Sequence, residues 1–259
     1  MSVTGKIKII DKRILFLLLL IAVILNGYTF GDAKENGNSP GIVLSFDDSF
    51  YGVNPKTWER HYYLFDRYGA KVTFFVNGRS VTNFMLNAQK RGHEIGYHTL
   101  THQRLPTLSR NQFYAETISP MRAFKNAGIE LTSFAYPYGL YRTWMHNELL
   151  KYYKTLRGFT ERYTDNFNLY TKDEMKSGFI NSVSIDNIYY RSERQFQNTI
   201  DRMLIRTRNN GKIIVLTSHG INSGKWGITP ERLEYILKKG KEYGITFYKF
   251  KDFQIPTPL

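Results

Sequence analysis

The sequence predicts an α/β fold, a distorted (β/α) barrel with about seven parallel strands. Two observations predict it. β-Prone apolar runs alternate with helix-period segments about seven times, and right-handed crossovers turn that alternation into parallel strands. Acids and imidazoles follow the ends of several of those runs, where α/β barrels carry their sites. A doubly wound open sheet fits the same alternation and is the alternative. A chain of 259 residues can bury a substantial core, and one domain suits that length.

Each element has its own signal. Gly41–Phe46 is an apolar run that stops at Asp47-Asp48 and reads as the first strand. Asn54-Pro55 opens a helix through Tyr68, with Gly69 as its stop. Lys71–Val76 is a second strand, and Ser80 caps a helix ending near Arg91-Gly92. Glu94–Tyr97 is a short strand that delivers His98. Ser109 to Ala127 reads as one long helix closed by Gly128. Ser133–Tyr136 delivers Pro137-Tyr138-Gly139. Thr143 to Lys154 is helical, and Thr155–Arg157 is a strand. Residues 158–178 are polar and aromatic and match no period. Phe179–Ile185 is a strand, Ser192 to Asn209 a helix, and Lys212–Thr217 the most β-like run in the chain. A last helix runs from Thr229-Pro230 to Tyr243, before a strand at Thr246–Tyr248.

The chemistry concentrates at three strand ends. Asp48, His98 and His102 make a two-histidine, one-carboxylate set, a donor type suited to zinc, ferrous iron or cobalt. The i, i+4 spacing of the histidines would let one helical turn aim both rings at one ion. Asp47, beside a ligand, is placed to act as a base toward water activated at that centre. His219 arrives from another strand and is placed to act as an acid. Each piece alone has a bland reading: Asp-Asp after a strand is usually a turn or cap. The order of the three is far more specific than any part, and it describes hydrolysis.

On these residues the chain resembles the polysaccharide deacetylase family, the NodB-homology domain of carbohydrate esterase family 4. Ser45-Phe46-Asp47-Asp48 is similar to its first motif and His98-Thr99-Leu100-Thr101-His102 to its second. Phe134-Ala135-Tyr136-Pro137-Tyr138-Gly139 is similar to its third, and Leu216-Thr217-Ser218-His219 to its fifth. The resemblance spans roughly residues 40 to 250. It implies Asp47 as base, Asp48, His98 and His102 as metal ligands, and His219 as acid. It also implies that the Tyr138 backbone N–H after Pro137 belongs to an oxyanion hole. The chain departs from the pattern twice. Ala135 stands where the family has arginine, and only Asp186 survives of the fourth motif. Arg157, at the end of the next strand, is the residue expected to pair with Asp47 instead, with Arg142 as its rival.

The implied cofactor is one divalent metal ion: zinc first, with Co²⁺, Fe²⁺ or Ni²⁺ as alternatives. The implied activity is removal of N-acetyl groups, or O-acetyl groups, from a cell-wall or extracellular polysaccharide, with water activated by the metal as nucleophile. A non-catalytic saccharide-binding protein on the same fold and a hydrolase of a non-sugar amide are the alternatives. Aromatic residues crowd the loops (Phe50, Tyr51, Tyr138, Tyr141, Trp144, Trp226), and Pro137, Tyr138 and Trp226 lie closest to catalytic segments as candidates for sugar binding.

Charge and composition narrow the partners. The formal charge is +14. Residues 1–33 carry four Lys/Arg and two Asp/Glu, so the remainder keeps +12, suited to an anionic polymer or membrane surface. The Lys and Arg are scattered, with no basic arm or nucleic-acid motif, so no nucleic-acid partner is expected. A monomer is expected. There is no cysteine, which excludes disulfides, thiolate chemistry and a cysteine-anchored lipoprotein. Lys6, Lys8, Lys12 and Arg13 precede a twelve-residue apolar run, Ile14 to Leu25. That pattern reads as a secretory signal in residues 1–33, and so as export. The run is short for a membrane span. No Ala-x-Ala site follows it, so an uncleaved signal anchor is the alternative. Residues 34–40 read as a linker to a catalytic domain at 41–259.

Overall fold

The computed structural model describes residues 39–49, 51–160 and 167–254. The signal or anchor at residues 1–33, residues 34–38 of the linker, and Phe50 lie outside the described residues. No described helix is long and apolar enough to cross a membrane.

Seven parallel strands close a barrel. In ring order they are β1 (Gly41–Ser49), β2 (Thr73–Val76), β3 (Glu94–Tyr97), β4 (Ser133–Ala135), β5 (Thr155–Phe159), β7 (Phe179–Ser184) and β8 (Ile213–Ser218). β8 returns to β1 over six residue pairs, from Gly41↔Ile213 to Phe46↔Ser218, which excludes the open sheet. β1 changes its other neighbour along its length. Its first residues pair with β11 (Thr246–Tyr248) and its later ones with β2, while β9 (Gly220–Ile221) and β10 (Gly227–Ile228) form a separate two-stranded pair. The stretch that matches no period contains β6 (Leu169–Tyr170), a two-residue strand antiparallel to β8.

Two apolar layers result. The larger lies between barrel and helices. α7 (Glu193–Asn210) buries Phe196, Ile200, Met203, Leu204 and Thr207 on one face. Ser192 caps its start by accepting from Gln195 N–H, and Gly211 ends it in the left-handed conformation. α8 (Pro230–Glu242) follows the same plan, with Thr229 accepting from Arg232 N–H and Pro230 in the first turn. The smaller layer fills the barrel itself with Val43, Phe75, Ala135, Ile180 and Val215, joined by Phe250 and Phe253. Gly96 makes this filling sterically feasible, because a Cβ there would lie 2.5 Å from the Phe75 ring. At the N-terminal end of β3 the buried Glu94 carboxylate accepts from Thr73 and Ser133 hydroxyls and from Lys251 N–H, and burial pushes its pKa up.

The helices differ from the sequence expectation in four places. The segment 54–68 is two helices, α1 (Lys56–Glu59) and α2 (Tyr62–Tyr68), because His61 leaves helical geometry at φ −111° and ψ 12°. The segment 109–127 is also two, α4 (Arg110–Thr117) and α5 (Met121–Asn126), after α3 (Asn83–Lys90). Pro120 starts the second of them, and a proline has no N–H to continue the first. α3 starts after Thr82 rather than Ser80. α6 (Thr143–Leu149) stops five residues short of Lys154, whose N–H bonds instead to Thr132 O at 2.7 Å.

Candidate active site

β1 delivers both acids of the first motif to the same end of the barrel, and a left-handed turn separates them. Asp48 has φ 71°, so Asp47 and Asp48 do not simply alternate across the sheet. Asp47 is buried in the barrel mouth. One of its oxygens, Oδ2, accepts from Arg157 Nη2, while Oδ1 makes no hydrogen bond. Arg157 is fully buried, with its guanidinium carbon 4.3 Å from the Phe159 ring centre and 5.2 Å from that of Phe75. It reaches Asp47 because Arg157 on β5 is the register partner of Ala135 on β4, where the small side chain leaves room. Arg142, exposed before α6, has no ion pair to Asp47.

The metal loop follows β3. His98 Nε2 lies 3.1 Å and His102 Nε2 3.0 Å from Asp48 Oδ1. The His98–His102 segment is not a helical turn, contrary to the expectation from its spacing. Thr99 and His102 both have positive φ, at 73° and 58°. The loop is instead held by side chains. Thr99 Oγ1 accepts from His102 N–H at 2.9 Å, Asn77 Nδ2 donates to His98 O, and Glu116 accepts from Thr101 N–H and hydroxyl. These clamps carry no signal in the sequence, because nothing in α4 or at the end of β2 marks Glu116 or Asn77 as a loop partner.

The donors fit a cation. His98 Nδ1 donates to Ala135 O at 2.8 Å, so its Nε2 turns a lone pair toward Asp48. Asp48 Oδ1 is buried without a hydrogen bond. One ligand atom from each of Asp48, His98 and His102 lies within 4.8 Å of the others. Such convergent electron pairs are stable around a positive ion. Burial works to raise the Asp48 carboxyl, but His102 and His98 outweigh it and hold it far below the usual carboxylate range.

β8 ends at Ser218 and presents His219. Its Nδ1 faces Asp186 Oδ2 at 2.9 Å, and its N–H donates to Asp186 Oδ1 at 3.1 Å. Asp186, just after β7, also accepts from Ser184 and Ser218 hydroxyls at 2.7 Å each. Burial alone would lower the His219 pKa. The Asp186 hydrogen bond and charge, with Asp48 and Asp47 behind, push it up to about 9. Nε2 points across the cavity, 3.6 Å from Asp48 Oδ2. Trp58 on α1 donates its indole N–H to His219 O at 2.8 Å, another support that the sequence did not signal.

All the sequence-predicted site residues except Arg157 and Pro137 line one open cavity of about 820 Å³. Pro137 is buried behind Tyr138, and Arg157 sits behind Asp47. Tyr138 is left-handed at φ 59°, with its ring 4.7 Å from that of His102. Trp226 stands on the far side, 5.7 Å from the His219 ring. Tyr51 stacks on His102 with ring centres 4.3 Å apart and lines the cavity too. Its aromatic character was legible, but its place on His102 was not.

Comparison with known proteins gives the same picture. The polysaccharide deacetylase family model matches residues 34–156, which carry Asp47, Asp48, His98, His102 and Tyr138. A probable peptidoglycan-N-acetylglucosamine deacetylase of Arthroderma benhamiae is 37% identical over 87 residues, covering 31% of this chain and 19% of its own length. The chain spans about a fifth (19%) of the length of the curated relatives it matches. Among solved structures, the Xyl-CE4 domain of a multidomain xylanase from the hindgut metagenome of Trinervitermes trinervoides superposes with a TM-score of 0.58 at 23% identity, covering 83% of this chain and 90% of that one. Peptidoglycan deacetylase PdaC of Bacillus subtilis superposes at 0.54 and 19% identity, with the same coverage, 83% and 90%. The sequence match over residues 34–156 and the barrel shared with solved deacetylase domains make the chain similar to the polysaccharide deacetylase family.

Proposed function

We propose that the protein is a metal-dependent hydrolase that removes N-acetyl groups, and O-acetyl groups by the same attack, from an extracytoplasmic polysaccharide. The observation that carries this reading is the convergence on one cavity of a metal triad, a carboxylate fixed by arginine and an imidazole fixed by aspartate. A divalent ion held by Asp48, His98 and His102, with zinc the first choice, would supply Lewis acidity and a water of lowered pKa. Asp47 takes the proton of the attacking water with Oδ1, the oxygen that Arg157 leaves free. The Tyr138 N–H donates to the oxyanion that develops at the acetyl carbonyl. His219 hands a proton from Nε2 to the departing amine, while Asp186 holds Nδ1 and fixes the ring. Trp226 and Tyr138 flank the cavity as faces for sugar rings.

The basic N-terminal run supports export, by a signal that is cleaved or retained as an anchor. Cell fractionation with intact mass checks it, and full-length protein found only in the cytosol would refute both forms. The catalytic reading is tested by acetate release from a panel of acetylated glycans by the zinc-loaded protein. Wild type should release acetate. Asp47→Asn should keep its metal and lose roughly 10²–10⁴-fold in rate, the usual worth of a general base. Stoichiometric metal without acetate release from any member would leave a binding protein and sink the hydrolase.

A further inference from the structure

We propose that Asn187 positions Trp226, and that through this one amide the protein presets an aromatic face for a sugar ring beside His219. The sugar rests on the hydrolase reading, and the anchoring itself does not. Trp226 ends the segment 222–226, which lies between β9 and β10. Its ring is half exposed, and its centre lies 5.7 Å from that of His219 with the planes 72° apart. The segment reads Asn-Ser-Gly-Lys-Trp, a composition that by itself makes a loose loop. Here it is held. The Asn187 amide Nδ2 donates to Asn222 O at 3.1 Å and to Gly224 O at 2.9 Å. Ile188 N–H donates to Lys225 O at 3.1 Å. Two consecutive residues thus hold three of the five carbonyls of the segment.

The anchor is itself oriented. Asn187 Oδ1 accepts from Arg232 Nη1 at 3.1 Å, which decides that the amide nitrogen faces the loop. Arg232 is buried on α8, with its Nε donating to Glu193 of α7 at 2.9 Å and its guanidinium carbon 4.9 Å from the Phe196 ring centre. The first turns of two long helices therefore set the direction of one side chain. The loop also closes on itself. Asn222 Oδ1 accepts from Gly224 N–H at 2.8 Å, and a Cβ at Gly227 would lie 2.5 Å from Gly220 O. Asn187 directly follows Asp186, which holds Nδ1 of His219. Adjacent residues after β7 thus fix an imidazole and the indole beside it. An indole packs well against the C–H face of a pyranose. A face that is already ordered spares the cost of ordering it on binding, so the anchor should act on KM and not on kcat.

The test uses Asn187→Asp, which keeps the size of the side chain and an oxygen for Arg232 but removes the donor to the loop. Fluorotryptophan in place of Trp58, Trp144 and Trp226 gives one fluorine resonance for each, and Trp226→Phe identifies the last. Asn187→Asp should move the Trp226 resonance and leave the other two in place. A stationary Trp226 resonance overturns the anchor. Movement of all three, repeated in the neutral variant Asn187→Ala, also overturns it, because Asn187 then supports the whole fold. With a chitin pentamer as substrate, Asn187→Asp should raise KM about 5–10-fold and keep kcat within about twofold. In a Trp226→Ala background the same change should alter KM by less than about twofold, because a residue that acts through Trp226 has nothing left to position. An unchanged KM in Asn187→Asp, or a full effect without Trp226, overturns the proposal. If wild type releases acetate from no acetylated glycan, the hydrolase reading fails and the fluorine spectrum alone judges the anchor.

Discussion

The exchange at Ala135 and Arg157 shows how far single residues could be read. The missing arginine was visible in the sequence as an absence, and parallel pairing of adjacent strands pointed to Arg157 as the cation able to reach Asp47. The conformations of the site were not visible in this way. Among the described residues four non-glycines have positive φ: Asp48, Thr99, His102 and Tyr138. All four belong to the metal loop or the cavity wall, and three of them line the cavity. Such backbone costs of order 1–3 kcal/mol each and persists only where neighbours hold it. Spacing alone suggested a helix for His98 and His102, because strain of this kind leaves no mark on residue type. The Arg157 pairing gives the sharpest expectation at this scale. Arg157→Ala leaves the Asp47 carboxylate buried without its cation and should cost about 3–5 kcal/mol in urea unfolding. Metal content should be unchanged and turnover reduced. Arg157→Ala combined with Ala135→Arg should regain part of both, because the two positions are register partners facing the barrel interior.

Strands were more legible than helices at the scale of elements. β3 and β11 fall on the expected residues, and β1, β2, β5, β7 and β8 overlap theirs within a few positions. A buried parallel strand is a continuous apolar run that few other structures produce. The helix breaks have different standing. Pro120 was present in the sequence and is sufficient reason for the break between α4 and α5. The break at His61 has no such marker. It serves tertiary contacts, letting Trp58 bury its ring and bond to His219 O while Tyr62, Leu64 and Phe65 face the core. α1 is thus a support for His219. Trp58→Phe keeps most of the apolar volume and removes the indole donor. It should cost about 1 kcal/mol for a lost hydrogen bond, measured by denaturant midpoint. It should also lower turnover with metal content intact, and a fully active variant would remove α1 from the support of His219.

For the whole molecule, stability should depend on pH and metal in ways that can be separated. His93 is buried among the rings of Tyr62, Phe65 and Phe74, and its Nδ1 accepts from Val72 N–H. Burial, then Lys71, Arg91 and Lys249, push its pKa down to about 3. An unfolded histidine titrates near about 6.5, so between those values the unfolded chain binds a proton that the folded chain refuses. This contribution is fully present above the upper value and is lost as pH falls through the window, at up to about 1.4 kcal/mol per pH unit. His93→Gln keeps an acceptor without a titrating group and should flatten the slope of unfolding free energy between pH 4 and 6.5, roughly the window set by those values. An unchanged slope would remove His93 as its source. Metal should act independently. An ion that binds only the folded chain raises the melting temperature. Zinc should therefore raise Tm in wild type and leave His102→Ala where it was.

The seam between β1 and β8 also bears on the order in which the molecule is made. Ser45 and Thr217, bonded through their hydroxyls at 2.8 Å, are 172 residues apart in the chain. Contacts of such long range form slowly and late, because the chain between them must first be ordered. During synthesis Asp48, His98 and His102 emerge well before the strand that closes the ring. Until that strand arrives, β1 has a bare, apolar edge of the kind that pairs with other chains. A nascent chain stalled before residue 213 should therefore aggregate through β1, and the arrival of β8 zips the two ends of the barrel together and brings His219 to Asp48.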